Sequence, residues 1–454
     1  MSGSGGMRIG ETETAEGEEQ GIAPPEQPAG RENNGSERAL KNYQSAVASG
    51  FYQRDTGGLL GKYDNVRRYW EDQITRYVLH DFVMPLVERK RHSLERIRIL
   101  DLGSGSGEGY EILTSLKKEG DSLVSREVDV LPPEMLGAYK GVDISPAMVE
   151  QGTGIYEHEP KVSFVVGDLS EGLGDIKNDA PYDIYFSSYG SLSHLNDAEL
   201  ARLLEDIHEH SHGQAVLVAD LVGRYSYEWQ CYWDDPPAGG DTMRTYSMSY
   251  LYPPELLDRV EPERFPLRFW TAAEFDEHVR ATIGNKGGRV IKNELRDRSI
   301  LVGRHMNTGE YNRHAQPLRR EVNCLHEFNV RTDLEALVFD YTPKPGFDRL
   351  NAFFDKFQMA WNAVVYAAIE ALERANDPDW LGEPPPTEYP EVVQDAIRTI
   401  RGVVRNVRWF RMGDPRANVI EPQLGYILRN LEMDLQQGMG AAHGLLAIYE
   451  FSKE

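Results

Sequence analysis

Two hydrophobic periods interleave along the middle of this chain, and together they predict alternating strands and helices. Arg96 to Leu102 is a short apolar run that ends in glycines at 103, 105 and 107, so it reads as a buried strand turning into a helix from Glu108. Tyr139 to Asp143, Val162 to Asp168 and Tyr182 to Phe186 repeat the theme of a strand closing on a polar end. Asp197 to His208 places Leu200, Leu203, Leu204 and Ile207 on one helical face, Gln214 to Leu221 is a further strand, and Thr271 to Val279 another helix. Arg289 to His305 reads as a β-hairpin turning at Asp297-Arg298. This alternation predicts an α/β fold with a doubly wound, mostly parallel sheet.

The flanks have a different pattern. Residues 1–39 are rich in Gly, Glu, Pro and Asn and are expected to form a disordered tail, whereas residues 40–92 repeat Val66, Tyr69, Ile74, Tyr77, Val78 and Phe82 near helical spacing. Residues 306–454 read as a separate, mainly helical C-terminal domain. Phe347, Leu350, Phe354, Phe357, Trp361, Val364, Val365 and Leu372 trace one face there, and Val393, Ile397, Ile400, Val404 and Val407 another. Asp377 to Pro390 is a Pro-rich linker between them. Arg398, Arg401, Arg405 and Arg408 form a basic stripe, expected to pair with acids of its own surface or of a second copy in a homodimer.

The glycine turn narrows the chemistry. Glycines let backbone approach a ligand, and the following helix offers free N–H groups to a polar cofactor. A dinucleotide fingerprint needs a third glycine three residues after the second, and those positions are Glu108 or Tyr110, which disfavours NAD. The run Asp101-Leu102-Gly103-Ser104-Gly105-Ser106-Gly107 resembles motif I of the class I S-adenosylmethionine-dependent methyltransferases. Further pieces follow in that family's order: Asp143 with Ile144 and Met148, Gly167-Asp168-Leu169, and a fourth strand ending at Ser187.

The resemblance implies a Rossmann-like, seven-stranded core over residues 93–305, with an N-terminal helical cap and a lid insertion at about 223–268. It implies that Asp143 accepts from the ribose hydroxyls and Asp168 from the adenine amino group, with Leu169 against the ring. Asp101, Gly103, Ser104, Gly105, Gly107, Ile144, Met148, Gly167 and Ser187 complete the S-adenosyl-L-methionine site. Tyr63 and Arg67 match positions where the family often places an aromatic over the substrate and an Arg near the methionine carboxylate; a core Tyr and a solvated Arg are the alternative. The run between Glu119 and Ala138 sets Asp143 40 residues beyond Gly103, a longer gap than the family's, and is read as a surface insertion.

Ser187 to Leu195 resembles the catalytic stretch of small-molecule N-methyltransferases, with Tyr189 and His194 as candidates. His194 could accept the acceptor's proton, or it could cap the next helix. Tyr225, Tyr227, Trp229, Tyr232 and Trp233 are dense enough to form an aromatic lid around an amine or flat acceptor, with core packing as the alternative. His208, His210 and His212 diverge at a helix end, so no metal is expected.

Charge and cysteine usage bear on partners. With 73 acids against 49 bases the net charge is −24, which opposes binding to nucleic acid. No apolar run of about 18 residues occurs, so no membrane span is expected. Cys231 and Cys324 are the two cysteines, which fits a reducing cytoplasm and leaves at most one of them to act as a lone nucleophile. The expected activity is methyl transfer to a small-molecule acceptor, at nitrogen before oxygen. A cofactor-binding regulator or scaffold without turnover is the rival.

Overall fold

The computed structural model describes residues 63–118, 127–234, 242–252, 256, 259–377, 379–380, 382–407, 410–411 and 413–453. The expected tail, the start of the cap, part of the lid insertion and Arg408 lie outside the described residues.

The glycine turn connects β1 (Ile97–Leu102) to helix α2 (Glu108–Thr114), and the cap before it is a π-helical turn at Arg67–Glu71 leading into α1 (Asp72–His92). Ile74, Val78, Leu79, Phe82, Val83, Leu86 and Val87 form the buried stripe of α1. β2 (Leu136–Asp143), β3 (Val162–Val166), β4 (Ile184–Ser187) and β5 (Gln214–Gly223) follow, with α3 (Pro146–Ile155) after β2 and α4 (Asp197–His210) after β4. The α3 start is written in sequence as Ser145-Pro146, a hydroxyl cap followed by a residue with no N–H to lose. α4 opens on a capping box, Asn196 with Glu199.

After β5 the chain makes an excursion through β6 (Met243–Ser247) and β7 (Arg264–Trp270), then forms α5 (Ala272–Asn285) behind a second capping box, Thr271 with Glu274. β8 (Arg289–Arg298) is a single strand. The hairpin expected at Asp297-Arg298 is absent because both residues are buried partners rather than turn residues. The Asp297 carboxylate accepts the N–H groups of Met439, Gly440 and Ala441 at 2.7–2.9 Å, and Arg298 pairs with Asp220 on β5 at 2.7 Å.

The strand that closes the sheet is β9 (Gly444–Ser452), the last element of the chain. It runs antiparallel to both β5 and β8, giving the order β3-β2-β1-β4-β5-β9-β8, with β7 and β6 appended at the end of β5. Residues 306–454 are therefore not a domain beside a finished core. Helices α6 (Leu318–Cys324), α7 (Asp348–Glu373), α8 (Glu391–Asn406) and α9 (Glu421–Leu435) are an insertion between two neighbouring strands of one sheet.

Packing confirms the union. One hydrophobic cluster joins α1, α2, one sheet face and the inserted helices, while α4 and α5 cover the opposite face. The indoles of Trp70 and Trp361 lie 6.1 Å apart. Glu432 on α9 accepts from Trp70 Nε1 and from the N–H groups of Ser299 and Ile300, tying cap, sheet edge and insertion together. Of the arginine stripe, Arg401 pairs with Glu370 and Arg398 with Asp395 on the protein's own surface. No helix among the described residues is long and apolar enough to cross a membrane.

Candidate active site

A cavity of about 390 Å³ opens at the carboxyl ends of the parallel strands, where doubly wound sheets place their ligands. Its first half is built by strand ends. Gly103 and Gly105 turn with φ of +71° and +53°, a region that costs a side chain strain, and the N–H groups of Gly103 and Ser104 both donate to Val142 of β2. Asp143 ends β2 and accepts from Gly105 and Ser145 at 2.9 Å each, which fixes the carboxylate at the cavity wall. Ile144, Met148, Gly167, Asp168 and Leu169 continue the lining. The long gap before Asp143 does not displace it: from Arg98 to Leu102 β1 pairs in step with β2, Leu102 opposite Val142, and of the described residues of the extra run Val128–Asp129 pairs with Lys117–Lys118 while Val130 and Leu131 are buried.

The second half draws mainly on later segments of the chain. Ser188, Tyr189 and His194 come from the β4–α4 connection; Met243, Tyr246, Met248, Tyr250, Phe265 and Leu267 come from the β5–α5 excursion. Glu71, Asp220, Arg298, Arg304 and His443 supply its polar wall.

Several expected site residues sit elsewhere. Asp101 is buried under the turn, bonded to the Tyr139 hydroxyl, and burial pushes its carboxyl up to about 8. Gly107 faces the rings of Tyr156 and Phe164 rather than the cavity, and Ser187 is buried behind Ser188. Tyr63 donates to Glu108, a cavity residue, and Arg67 is buried between the Tyr63 and Tyr189 rings at 4.2 and 3.8 Å. Neither Tyr63 nor Arg67 lines the cavity.

The aromatic stretch is core. Tyr227 packs on Phe339 and Tyr341, Trp233 stacks on Phe354, and Tyr225 contacts Phe347, all from the inserted segment. Trp229 meets Phe269, and Tyr232 meets Phe269 and Tyr311. None of the five lines the cavity, so the packing alternative describes them, and the rings that the β5–α5 excursion does contribute to the lining are Tyr246, Tyr250 and Phe265.

Buried charges brace the second half. Arg319 on α6 holds Asp64 bidentately at 2.7 and 2.8 Å and Glu71 at 2.7 Å. Burial alone would raise Glu71, but Arg319, Arg304 and Arg298 hold it well below the usual carboxylate range. Asp220 is raised by burial in spite of Arg298, and its carboxylate accepts the Tyr189 N–H at 2.7 Å, holding that residue at φ +54°. His194 lies against Phe265 with centroids 5.1 Å apart, and burial pushes its imidazole down to about 4. Burial also raises the Cys231 thiol to about 12, so it carries no nucleophilic thiolate at neutral pH. The His210 ring bonds the Tyr185 hydroxyl and the Asp179 carbonyl.

Glu228 and His443 had no sequence signal. Glu228 stands inside the aromatic stretch, and His443 lies 220 residues beyond Gly223 in a segment without a motif. The fold brings them within 3.0 Å.

Comparison with known proteins agrees with this geometry. Residues 131–212, which contain β2 through α4, match the family described as a methyltransferase domain. No curated protein matches the chain. Among solved structures, the 1,6-didemethyltoxoflavin-N1-methyltransferase of Burkholderia thailandensis is 15% identical, covers 60% of this chain and 87% of its own, and has a TM-score of 0.34. The magnesium protoporphyrin IX methyltransferase of Synechocystis is 12% identical over 57% and 92%, with a TM-score of 0.34. A TehB-like methyltransferase of Corynebacterium glutamicum is 16% identical over 57% and 85%, with a TM-score of 0.25. At overlaps this low, the strand order and the family match carry the fold.

Proposed function

From the premise that this chain is an S-adenosylmethionine-dependent methyltransferase of the class I fold, we propose that it methylates a small-molecule acceptor, at nitrogen rather than oxygen. The observation that carries this reading is one continuous cavity joining the Gly103–Gly105 turn and Asp143 to a compartment walled by Tyr246, Tyr250 and Phe265.

The first half suits the cofactor. Asp143 accepts two backbone N–H groups, which hold its carboxylate at the cavity wall, where it can accept from the ribose hydroxyls. Asp168 accepts from Ser170 through one oxygen and can take the adenine amino group on the other, while Ile144, Met148 and Leu169 offer apolar faces to the ring. When bound, S-adenosylmethionine supplies an electrophilic methyl group on a sulfonium.

The protein's remaining tasks are to align the acceptor, exclude water and receive a proton. The aromatic walls favour a flat or cationic acceptor through their ring quadrupoles, which supports an amine. The carboxylates of Glu71 and Asp220 are each paired with an arginine, so they add no unbalanced negative charge and the compartment can hold an uncharged amine ready to react.

The test is calorimetry followed by turnover. S-adenosylhomocysteine should bind and NAD should not. Release of S-adenosylhomocysteine is then followed with a panel of arylalkylamines and the matched phenols. Turnover of phenols alone would overturn the nitrogen assignment, and failure to bind the demethylated cofactor would overturn the reading itself.

A further inference from the structure

We infer that His443 is the proton acceptor of this site and that Glu228, buried behind it, is its positioning residue, an imidazole–carboxylate pair joined from segments 215 residues apart in the chain. The inference deepens the reading above and rests on it.

The pair is built rather than incidental. His443 Nδ1 lies 3.0 and 3.2 Å from the two Glu228 oxygens. Glu228 is fully buried, and the same carboxylate accepts the Ser226 hydroxyl at 2.9 Å and the His305 N–H at 2.6 Å. Gly303 makes room for it: a Cβ there would fall 2.0 Å from Glu228 Oε1. The His443 backbone is held on both sides, its N–H donating to Ser299 and its carbonyl accepting from Gly223, so the ring is fixed between the ends of β5 and β8. The Trp229 ring, 5.4 Å away, closes one side.

A carboxylate at Nδ1 selects the tautomer with the proton on that nitrogen and leaves the Nε2 lone pair for the cavity that His443 lines. When the acceptor nitrogen uses its lone pair to form the new N–C bond, the methyl–sulfur bond breaks and its electron pair stays on the departing thioether, while the nitrogen's N–H bond breaks and the proton passes to Nε2. The resulting imidazolium is stabilised by Glu228 and releases its proton to solvent. The groups around the pair are His305, whose imidazole burial pushes down to about 4, with Asp220, Arg298 and Arg304 lining the same wall. Burial would raise Glu228, yet His443 and His305 draw it below the ordinary carboxylate range, so it stays charged. Burial pushes the His194 imidazole down to about 4, which weakens it as a base.

The experiment compares the full-length protein with His443→Gln, Glu228→Gln and His194→Gln. Calorimetry with S-adenosylhomocysteine comes first: the variants should bind as the parent does, and a parent that fails to bind refutes the cofactor reading and not the pair. Nitrogen-15 NMR of histidine-labelled protein then reads the tautomer, the His443 signals being those missing from His443→Gln. The Nδ1–H form, less strongly preferred in Glu228→Gln, is expected with or without turnover. An Nε2–H form, or a tautomer balance indifferent to Glu228, overturns the inference. With the best amine of the panel, His443→Gln and Glu228→Gln should lower kcat by about 100-fold or more at unchanged KM, and His194→Gln by only a few-fold. Parental turnover in His443→Gln, or the larger loss in His194→Gln, also overturns it.

Discussion

Ending the chain at His443, so that β9 is lost, should abolish cooperative folding rather than trim a peripheral domain. β9 pairs at nine positions with β5 and at nine with β8, and its removal leaves both as open edges in the middle of the sheet. Leu445, Leu446, Ile448, Tyr449 and Phe451 are each fully buried. At about 1.5–3 kcal/mol for burying each large apolar side chain, these five contribute roughly 10 kcal/mol, comparable with the whole stability of a typical domain. The same cut dismantles the cavity wall, because Gly444 passes close between Asp220 and Arg298: a Cβ there would lie 3.2 Å from each side chain. Circular dichroism melting and S-adenosylhomocysteine calorimetry read the two consequences. The milder variant Ile448→Ala keeps the strand and should cost about 2–5 kcal/mol, seen as a lowered Tm with cofactor affinity retained. A chain ending at His443 that melts cooperatively within a few degrees of the parent and binds S-adenosylhomocysteine equally well would refute the placement of β9.

Asp143→Ala should weaken S-adenosylhomocysteine binding by about 1.5–3 kcal/mol, two charge-assisted hydrogen bonds being lost; calorimetry with unchanged affinity would remove Asp143 from the site. Tyr250→Ala should raise the acceptor KM with little change in melting, whereas Trp229→Ala should lower the Tm, and the opposite pattern would return the acceptor wall to residues 225–233. Burial pushes Glu432 from 4.5 up to about 7, so the folded chain keeps a proton that the unfolded chain gives up across that window, and this group's stabilisation is present below it and lost as pH rises through it. Relative to Glu432→Gln, the parent should therefore lose up to about 3 kcal/mol between those pH limits in urea titrations, and a gap independent of pH would contradict a shifted Glu432.

What was legible in the sequence is what local chemistry specifies. The Gly103–Gly105 turn, the Ser145-Pro146 start and the boxes at Asn196 and Thr271 each need only neighbouring residues to take their shape. The acid at the end of β2 could be placed despite an atypical gap because a strand ending in Asp is itself a local pattern. Misreadings came where the partner is distant. Asp297-Arg298 has turn chemistry until Asp220 and residues 439–441 supply buried partners, and the rings of 225–233 resemble a lid until Phe339, Tyr341 and Phe354 take them into the core. Composition counts rings; it does not say which side of the backbone is wet.

The insertion between β8 and β9 also explains why the second half of the cavity has no motif of its own. β9 runs antiparallel between β5 and β8, so its first residues lie at the carboxyl ends of the parallel strands, beside the cavity. Any chain returning from an insertion at this point must cross there before it can pair, and here that crossing is residues 439–443, clamped by Asp297 and ending in His443. The outgoing end crosses too: Arg304 lines the cavity and His305 donates to Glu228 just after β8. Both ends of the inserted segment are thus tied to the second half of the cavity, the proposed acceptor side, while the proposed cofactor side is written between Gly103 and Leu169. Changes in the insertion can reach the second half of the cavity through Arg304 and His443 without touching Asp143.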